Sequence, residues 1–178
     1  MIAVGRGHDP ADHLQYPALP DRGTMERNDD RFHKRKHPRM RHYDYAQPGY
    51  YFVTICTKEK KSIFGEPGQL NHFGQLAQQG LVEIERHTQG VRVDTFVVMP
   101  NHIHAIIVLS DTATDLSVVI GQYKSAVTRN IRKIRSNMEV WQTSFHDHVI
   151  RSEEAYRRIW EYIDTNPMRW KNDCFYVE

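Results

Sequence analysis

Two histidines one residue apart, His102 and His104, lie within the apolar run Phe96-Val97-Val98-Met99-Pro100-Asn101-His102-Ile103-His104-Ala105-Ile106-Ile107-Val108-Leu109. The run is rich in β-branched residues and too short for a membrane span, which predicts a buried strand. Side chains two apart on a strand share a face, so both imidazoles project together while Ile103 enters the opposite face. Two neutral imidazoles side by side can grip one divalent cation. Some zinc hydrolases carry the same spacing, and so can a strand with one solvated face. Exposed strand positions more often hold Thr, Lys or Glu, however, and no Cys or Glu follows at the spacing of a closed zinc site. The pattern points to an open site on Mg²⁺ or Mn²⁺, with positions left for phosphate oxygens and water.

A nucleophile is sought in the next amphipathic segment. Tyr123 falls three residues after Ile120 and four before Val127, on the stripe that faces the sheet. A tyrosine there is first of all a core residue. Its neighbours give it a second reading. Gly121 would let a backbone or a nucleic-acid strand approach closely. Lys124, Arg129, Arg132, Lys133 and Arg135 surround or follow it, with no acidic residue between 116 and 138. Such a one-sign block is either a solvated helix face or a footprint for a polyanion. A phenol, with an ordinary pKa of about 10, needs help to attack at neutral pH, and a cation on the scissile phosphate would supply it. A covalent phosphotyrosine conserves the phosphodiester energy, so no nucleotide cofactor is required. Neither a GxxxxGK[ST] loop nor a Rossmann glycine pattern is present. The second close pair, His146-Asp147-His148, is weaker and reads as an exposed turn edge.

The elements that must position these groups fit one domain plus a tail in 178 residues. The net charge of +2 hides an asymmetry: residues 1–43 hold nine Lys/Arg against six Asp/Glu, and the rest of the chain is nearly balanced. Residues 1–42 lack hydrophobic periodicity and read as a disordered tail whose basic arm includes Arg39 and Arg41. A domain over 43–170 and a short C-terminal tail, 171–178, follow. Cys56 and Cys174 show no CxxC spacing, and the N-terminus lacks a secretory apolar core, so free thiols in a reducing cytoplasm are expected.

Tyr50 to Thr57 predicts a first strand, and residues 73–89 an amphipathic helix with Phe73, Leu76, Ala77, Leu81 and Ile84 as its stripe. Val91-Arg92-Val93 opens a short strand or turn before the histidine strand. The spacing of Ile120, Tyr123, Val127, Ile131, Ile134 and Met138 predicts a second helix over 116–137. A short strand with turns over 141–150 and a third helix over 153–163, ended by Asn166-Pro167, complete the pattern. The order β-α-β-α-β-α predicts an α+β sandwich, with helices packed on one face of a small, mainly antiparallel sheet.

Several segments, in order, carry a resemblance to a known family: Tyr45-Ala46-Gln47-Pro48-Gly49-Tyr50-Tyr51-Phe52-Val53-Thr54-Ile55-Cys56-Thr57, Met99-Pro100-Asn101-His102-Ile103-His104, Gly121-Gln122-Tyr123-Lys124-Ser125, Val140-Trp141-Gln142 and Glu161-Tyr162-Ile163-Asp164-Thr165-Asn166-Pro167. Over about Tyr43 to Trp170 the chain resembles the single-tyrosine HUH endonucleases of the transposase type, most closely the REP-associated tyrosine transposases of bacteria. Each motif is short, but all of them in this order are specific. The resemblance implies a ferredoxin-like fold and cleavage of single-stranded DNA near a folded hairpin, through a 5′-phosphotyrosine and a free 3′-OH. It implies Tyr123 as nucleophile and His102 and His104 as ligands of Mg²⁺ or Mn²⁺. Related enzymes place an amide one helical turn after the tyrosine as a third ligand. That position here is Val127, and Gln122 and Asn130 do not share its geometry, so the third ligand is unassigned.

The expected function is therefore a metal-dependent single-strand DNA endonuclease and strand transferase at hairpin-forming repeats. Lys124, Arg129, Arg132 and Lys133 would contact backbone phosphates, with Arg39 and Arg41 adding affinity or reading a stem. It would act in the cytoplasm at the nucleoid, as monomer or homodimer, without a membrane partner. A non-catalytic DNA-binding module on the same scaffold is the alternative, and a small zinc hydrolase is the third reading.

Overall fold

The computed structural model describes residues 47–177. Six strands and three α-helices are β1 (Gly49–Cys56), β2 (Gly65–Glu66), β3 (Gln69–Leu70), α1 (His72–His87), β4 (Val91–Val98), β5 (His102–Leu109), α2 (Leu116–Ile134), β6 (His146–Ile150) and α3 (Glu153–Thr165). A 3-10 segment, Asn166–Asn172, continues from α3. The main sheet runs β4-β5-β1-β6, and each neighbouring pair is antiparallel. β1 and β4 are thus parallel with β5 between them, and β5 and β6 are parallel with β1 between them. Two interleaved split β-α-β units of this kind make the ferredoxin-like topology. The histidine run is two strands rather than one. Pro100 lacks the N–H that a ladder needs, and the chain turns back across Met99–Asn101.

Both faces of the sheet are covered, which is why all of β5 is buried. Tyr51, Val53, Ile55, Ile103, Ala105, Ile107 and Leu109 form one core with the apolar stripes of α1 and α2. Tyr50, Phe52, Ile106, Val108 and Ile150 form a second core with Ala155, Ile159 and Ile163 of α3. Two helices pack together on one face, and the third adds a layer on the other. Side chains cap all three helices: Asn71 accepts from Gly74 N, Asp115 from Ser117 N and Ser152 from Ala155 N. α3 is also tied to β4, because Tyr156 Oη donates to the buried Asp94 at 2.5 Å and Arg92 pairs with the same carboxylate at 3.0 Å.

Two glycines show where the packing is tight. A Cβ on Gly80 would lie 2.8 Å from Val127 Cγ2 and 3.0 Å from the Tyr123 ring, so α1 and α2 approach closely only because Gly80 has none. Around Gly121, by contrast, nothing lies within 4 Å of the Cβ position, and no described backbone uses the gap. Gly80→Ala should therefore overpack the interface and lower stability by about 1 kcal/mol net of its helix-propensity gain. Gly121→Ala should raise stability by about 0.5–1 kcal/mol. Urea unfolding of the two variants checks the opposite signs. Ile134, expected on the buried stripe, is 55% exposed at the end of α2.

Candidate active site

Strand alternation sends His102 and His104 to the sheet face that α3 and the following 3-10 segment cover. Both are wholly buried. Their rings lie 4.5 Å apart between centroids, with Phe52 stacked on His104 at 5.3 Å. Polar neighbours set each ring. His102 Nδ1 lies 2.9 Å from Asn101 Oδ1, an atom that only accepts. The Asn101 amide is oriented by its own Nδ2, which donates to the carbonyls of Lys60 and Phe175. The Nδ1 of neutral His102 therefore carries the proton, and its Nε2 lone pair faces the site. His104 Nδ1 lies 2.8 Å from the buried Thr54 hydroxyl. Hydrogen bonds of this kind to the far ring nitrogen orient metal-ligating histidines.

The phenol beside these rings is Tyr162. Its Oη lies 3.2 Å from His104 Nε2 and donates to Asp173 Oδ2 at 3.1 Å. Burial, and then the negative Asp173 carboxylate, raise the phenol well above its ordinary pKa. One helical turn on, Asn166 is buried, and its Nδ2 donates to the same Asp173 oxygen at 2.7 Å. Its Oδ1 has no hydrogen-bond partner among the described residues. A buried carbonyl oxygen left unsatisfied costs about 1–3 kcal/mol unless something accepts its lone pairs, and a cation is such a group. The donor atoms of His102, His104 and Asp173 all lie within 4.8 Å of one another. Two imidazole nitrogens, a carboxylate and an amide oxygen are a mixed N/O set suited to a divalent cation, and the residues fit one.

Tyr123 is elsewhere. Its helix packs on the Ile103 side of the sheet, and its hydroxyl donates to Ala77 O of α1 at 3.0 Å, beside Trp141. Burial alone raises its phenol far above the ordinary value. The sheet separates Tyr123 from both imidazoles, so the expectation that it overhangs them is corrected. The same helix carries the basic block. Lys124 is not held out to solvent: its Nζ donates to the carbonyls of Gln142 and Thr143 at 2.6 and 3.0 Å, and burial lowers its pKa. Lys133 donates to Asn130 Oδ1, and Arg132 Nε to Met138 O. Arg129 and Arg132 line an open recess with Ser125, Thr128 and Trp141. Arg39 and Arg41 lie outside the described residues.

Reasoning from sequence missed Tyr162, Asn166 and Asp173. A signal for the first two was present: Tyr162 and Asn166 have the tyrosine-to-amide spacing that is absent at Tyr123 and Val127. Asp173 lies in the segment expected to be a tail, and its side chain is 1% exposed beside His102. The register also turns His146 and His148 to the histidine face, opposite Thr54 and Phe52 of β1. No helix among the described residues is long and apolar enough to cross a membrane.

Residues 46–166 match the family model described as "Transposase IS200 like". An uncharacterized protein of Haemophilus influenzae is 34% identical over 171 residues, covering 82% of this chain and 95% of its own. The REP-associated tyrosine transposase of Escherichia coli K12 is 25% identical over 125 residues, covering 70% of each chain. Among solved structures, a REP-associated tyrosine transposase bound to a REP hairpin shares the fold, with a TM-score of 0.60 at 22% identity. The match covers 74% of this chain and 73% of that one.

Proposed function

The chain belongs to the IS200-like transposase family, and on that footing we propose that it cuts and rejoins single-stranded DNA beside a hairpin, with Tyr162 as its nucleophile. One observation carries the assignment: the Tyr162 hydroxyl lies 3.2 Å from His104 Nε2, on the face that also holds His102 and Asn166. These three residues would hold Mg²⁺ or Mn²⁺ through His102 Nε2, His104 Nε2 and Asn166 Oδ1. When bound, the cation supplies charge that polarises the scissile phosphate.

The other steps belong to the chain's own groups. Tyr162 Oη attacks phosphorus, a Tyr–O–P bond forms, and the P–O3′ bond breaks. The leaving 3′ oxygen takes up a proton, balancing the one lost by the phenol, and departs as a free 3′-OH. A second 3′-OH reverses the step and releases Tyr162, so no nucleotide is consumed. α3 points the phenol, Thr54 and Asn101 hold the imidazoles, and Phe52 and Phe175 exclude water around them. Nucleophile and donors come from one chain, which favours a site complete in a single copy. A hairpin is the preferred partner because the structural relative is a transposase bound to one. Arg129 and Arg132 on the α2 recess, with Arg39 and Arg41 of the basic arm, would meet backbone phosphates outside the reaction centre.

Incubating the full chain with Mn²⁺ and a hairpin oligonucleotide labelled at its 3′ end tests this. An SDS-resistant labelled adduct is expected, and EDTA should abolish it. Failure to form an adduct on any hairpin or single-stranded substrate, with metal present, overturns the reading.

A further inference from the structure

Resting on that reading, we propose that Asp173 is a further metal ligand in the DNA-free protein, occupying the coordination position that the scissile phosphate takes when DNA enters. Its Oδ2 sits among the other donors. It lies 4.0 Å from His102 Nε2 and accepts from Tyr162 Oη and Asn166 Nδ2. For an octahedral ion with bonds of about 2.1 Å, ligand atoms stand roughly 3 Å apart when adjacent and about 4.2 Å apart when opposite. The donor atoms of His102, His104 and Asp173 all lie within 4.8 Å of one another, close to that range.

The segment that carries Asp173 is built in. Asp173 Oδ1 accepts from Phe175 N at 2.7 Å, and Phe175 O accepts from Asn101 Nδ2 at 2.8 Å. The Phe175 ring lies 4.6 Å from that of His102. This places the negative charge of an aspartate where the reaction requires that of a phosphodiester. Both imidazoles have zero exposure, so a DNA strand reaches them only if covering groups move. Phe175 is buried while Cys174, Tyr176 and Val177 are exposed, so the covering segment is anchored chiefly by the Phe175 ring and the Asp173 carboxylate, and it is these that must move. A phosphate oxygen entering as Asp173 leaves keeps both the ligand count and the charge.

Calorimetric titration of Mn²⁺ into the full chain and into Asp173→Asn and Asp173→Ala tests this, with circular dichroism as the folding control. Asp173→Asn keeps the size and an acceptor for Phe175 N. Both variants should bind Mn²⁺ on the order of tenfold more weakly than the unaltered chain when DNA is absent. The difference should vanish when a hairpin oligonucleotide is bound that carries a methylene in place of the leaving 3′ oxygen at the cleavage site, which keeps the phosphate's charge and cannot be cut. Unchanged or tighter Mn²⁺ binding by Asp173→Asn, while His102→Ala abolishes it, overturns the role of Asp173 and leaves the His102–His104 site standing. Failure of the unaltered chain to bind Mn²⁺ overturns both. A difference that persists with DNA bound overturns the exchange with phosphate.

Discussion

Tyr162→Phe should reduce formation of the protein–DNA adduct by at least about a thousandfold, whereas Tyr123→Phe should leave it within about threefold of the unaltered chain. The two substitutions remove the same atom from opposite sides of one sheet. At Tyr162 that atom lies 3.2 Å from His104 Nε2. Phenylalanine keeps the ring and its edge-on contact with Phe52 at 6.1 Å, so the fold is preserved while the attacking oxygen is gone. At Tyr123 the hydroxyl only donates to Ala77 O, and its loss should appear as about 1 kcal/mol of stability instead. Gel shift of a 3′-labelled oligonucleotide under SDS reads the first effect, and urea unfolding reads the second. Loss of the adduct in Tyr123→Phe but not in Tyr162→Phe would sink the assignment.

His104→Ala should abolish measurable Mn²⁺ binding and the adduct together, and Asn101→Ala should weaken Mn²⁺ binding about ten- to a hundredfold without abolishing it. His104 is expected to give Nε2 to the ion directly, whereas Asn101 Oδ1 meets His102 Nδ1 and acts by holding that ring. Asn101 Nδ2 also ties Phe175 O to the site, so its removal loosens the covering segment as well. The graded order is the informative result. Equal losses from both substitutions would mean that general unfolding, not ligation, is being measured, and circular dichroism of each variant separates the two cases. An Asn101→Ala chain that binds Mn²⁺ as the unaltered chain does would remove Asn101 from the arrangement.

The elements were legible because they are local. The stripes of α1 and α2 and the β-branched run of β1 are written in periods of 3.6 and 2, and their bounds came within three residues. The Pro100 break hid a hairpin inside what reads as one strand. The shared face of His102 and His104 follows from pleating and was also readable. Which helix lies over that face was not. Right-handed crossovers put α1 and α2 on the same side of the sheet. Their apolar stripes need an apolar partner, which is the Ile103, Ala105, Ile107 and Leu109 side, not the side of the imidazoles. That pairing makes Tyr123 a core residue and leaves the histidines to α3.

Asp173 is further from inference still, since nothing in the residues around it marks a ligand. The 3-10 segment after α3 turns the chain back onto β5 and so sets its carboxylate 4.0 Å from His102 Nε2. Residue order alone therefore establishes the family, the sheet, the helices and a paired-imidazole site. Folding in three dimensions sets Tyr162, not Tyr123, beside those imidazoles and brings Asn166 and Asp173 to it. The reason is that periodicity records which side chains share a face, whereas only the packing of one layer on another records what that face meets.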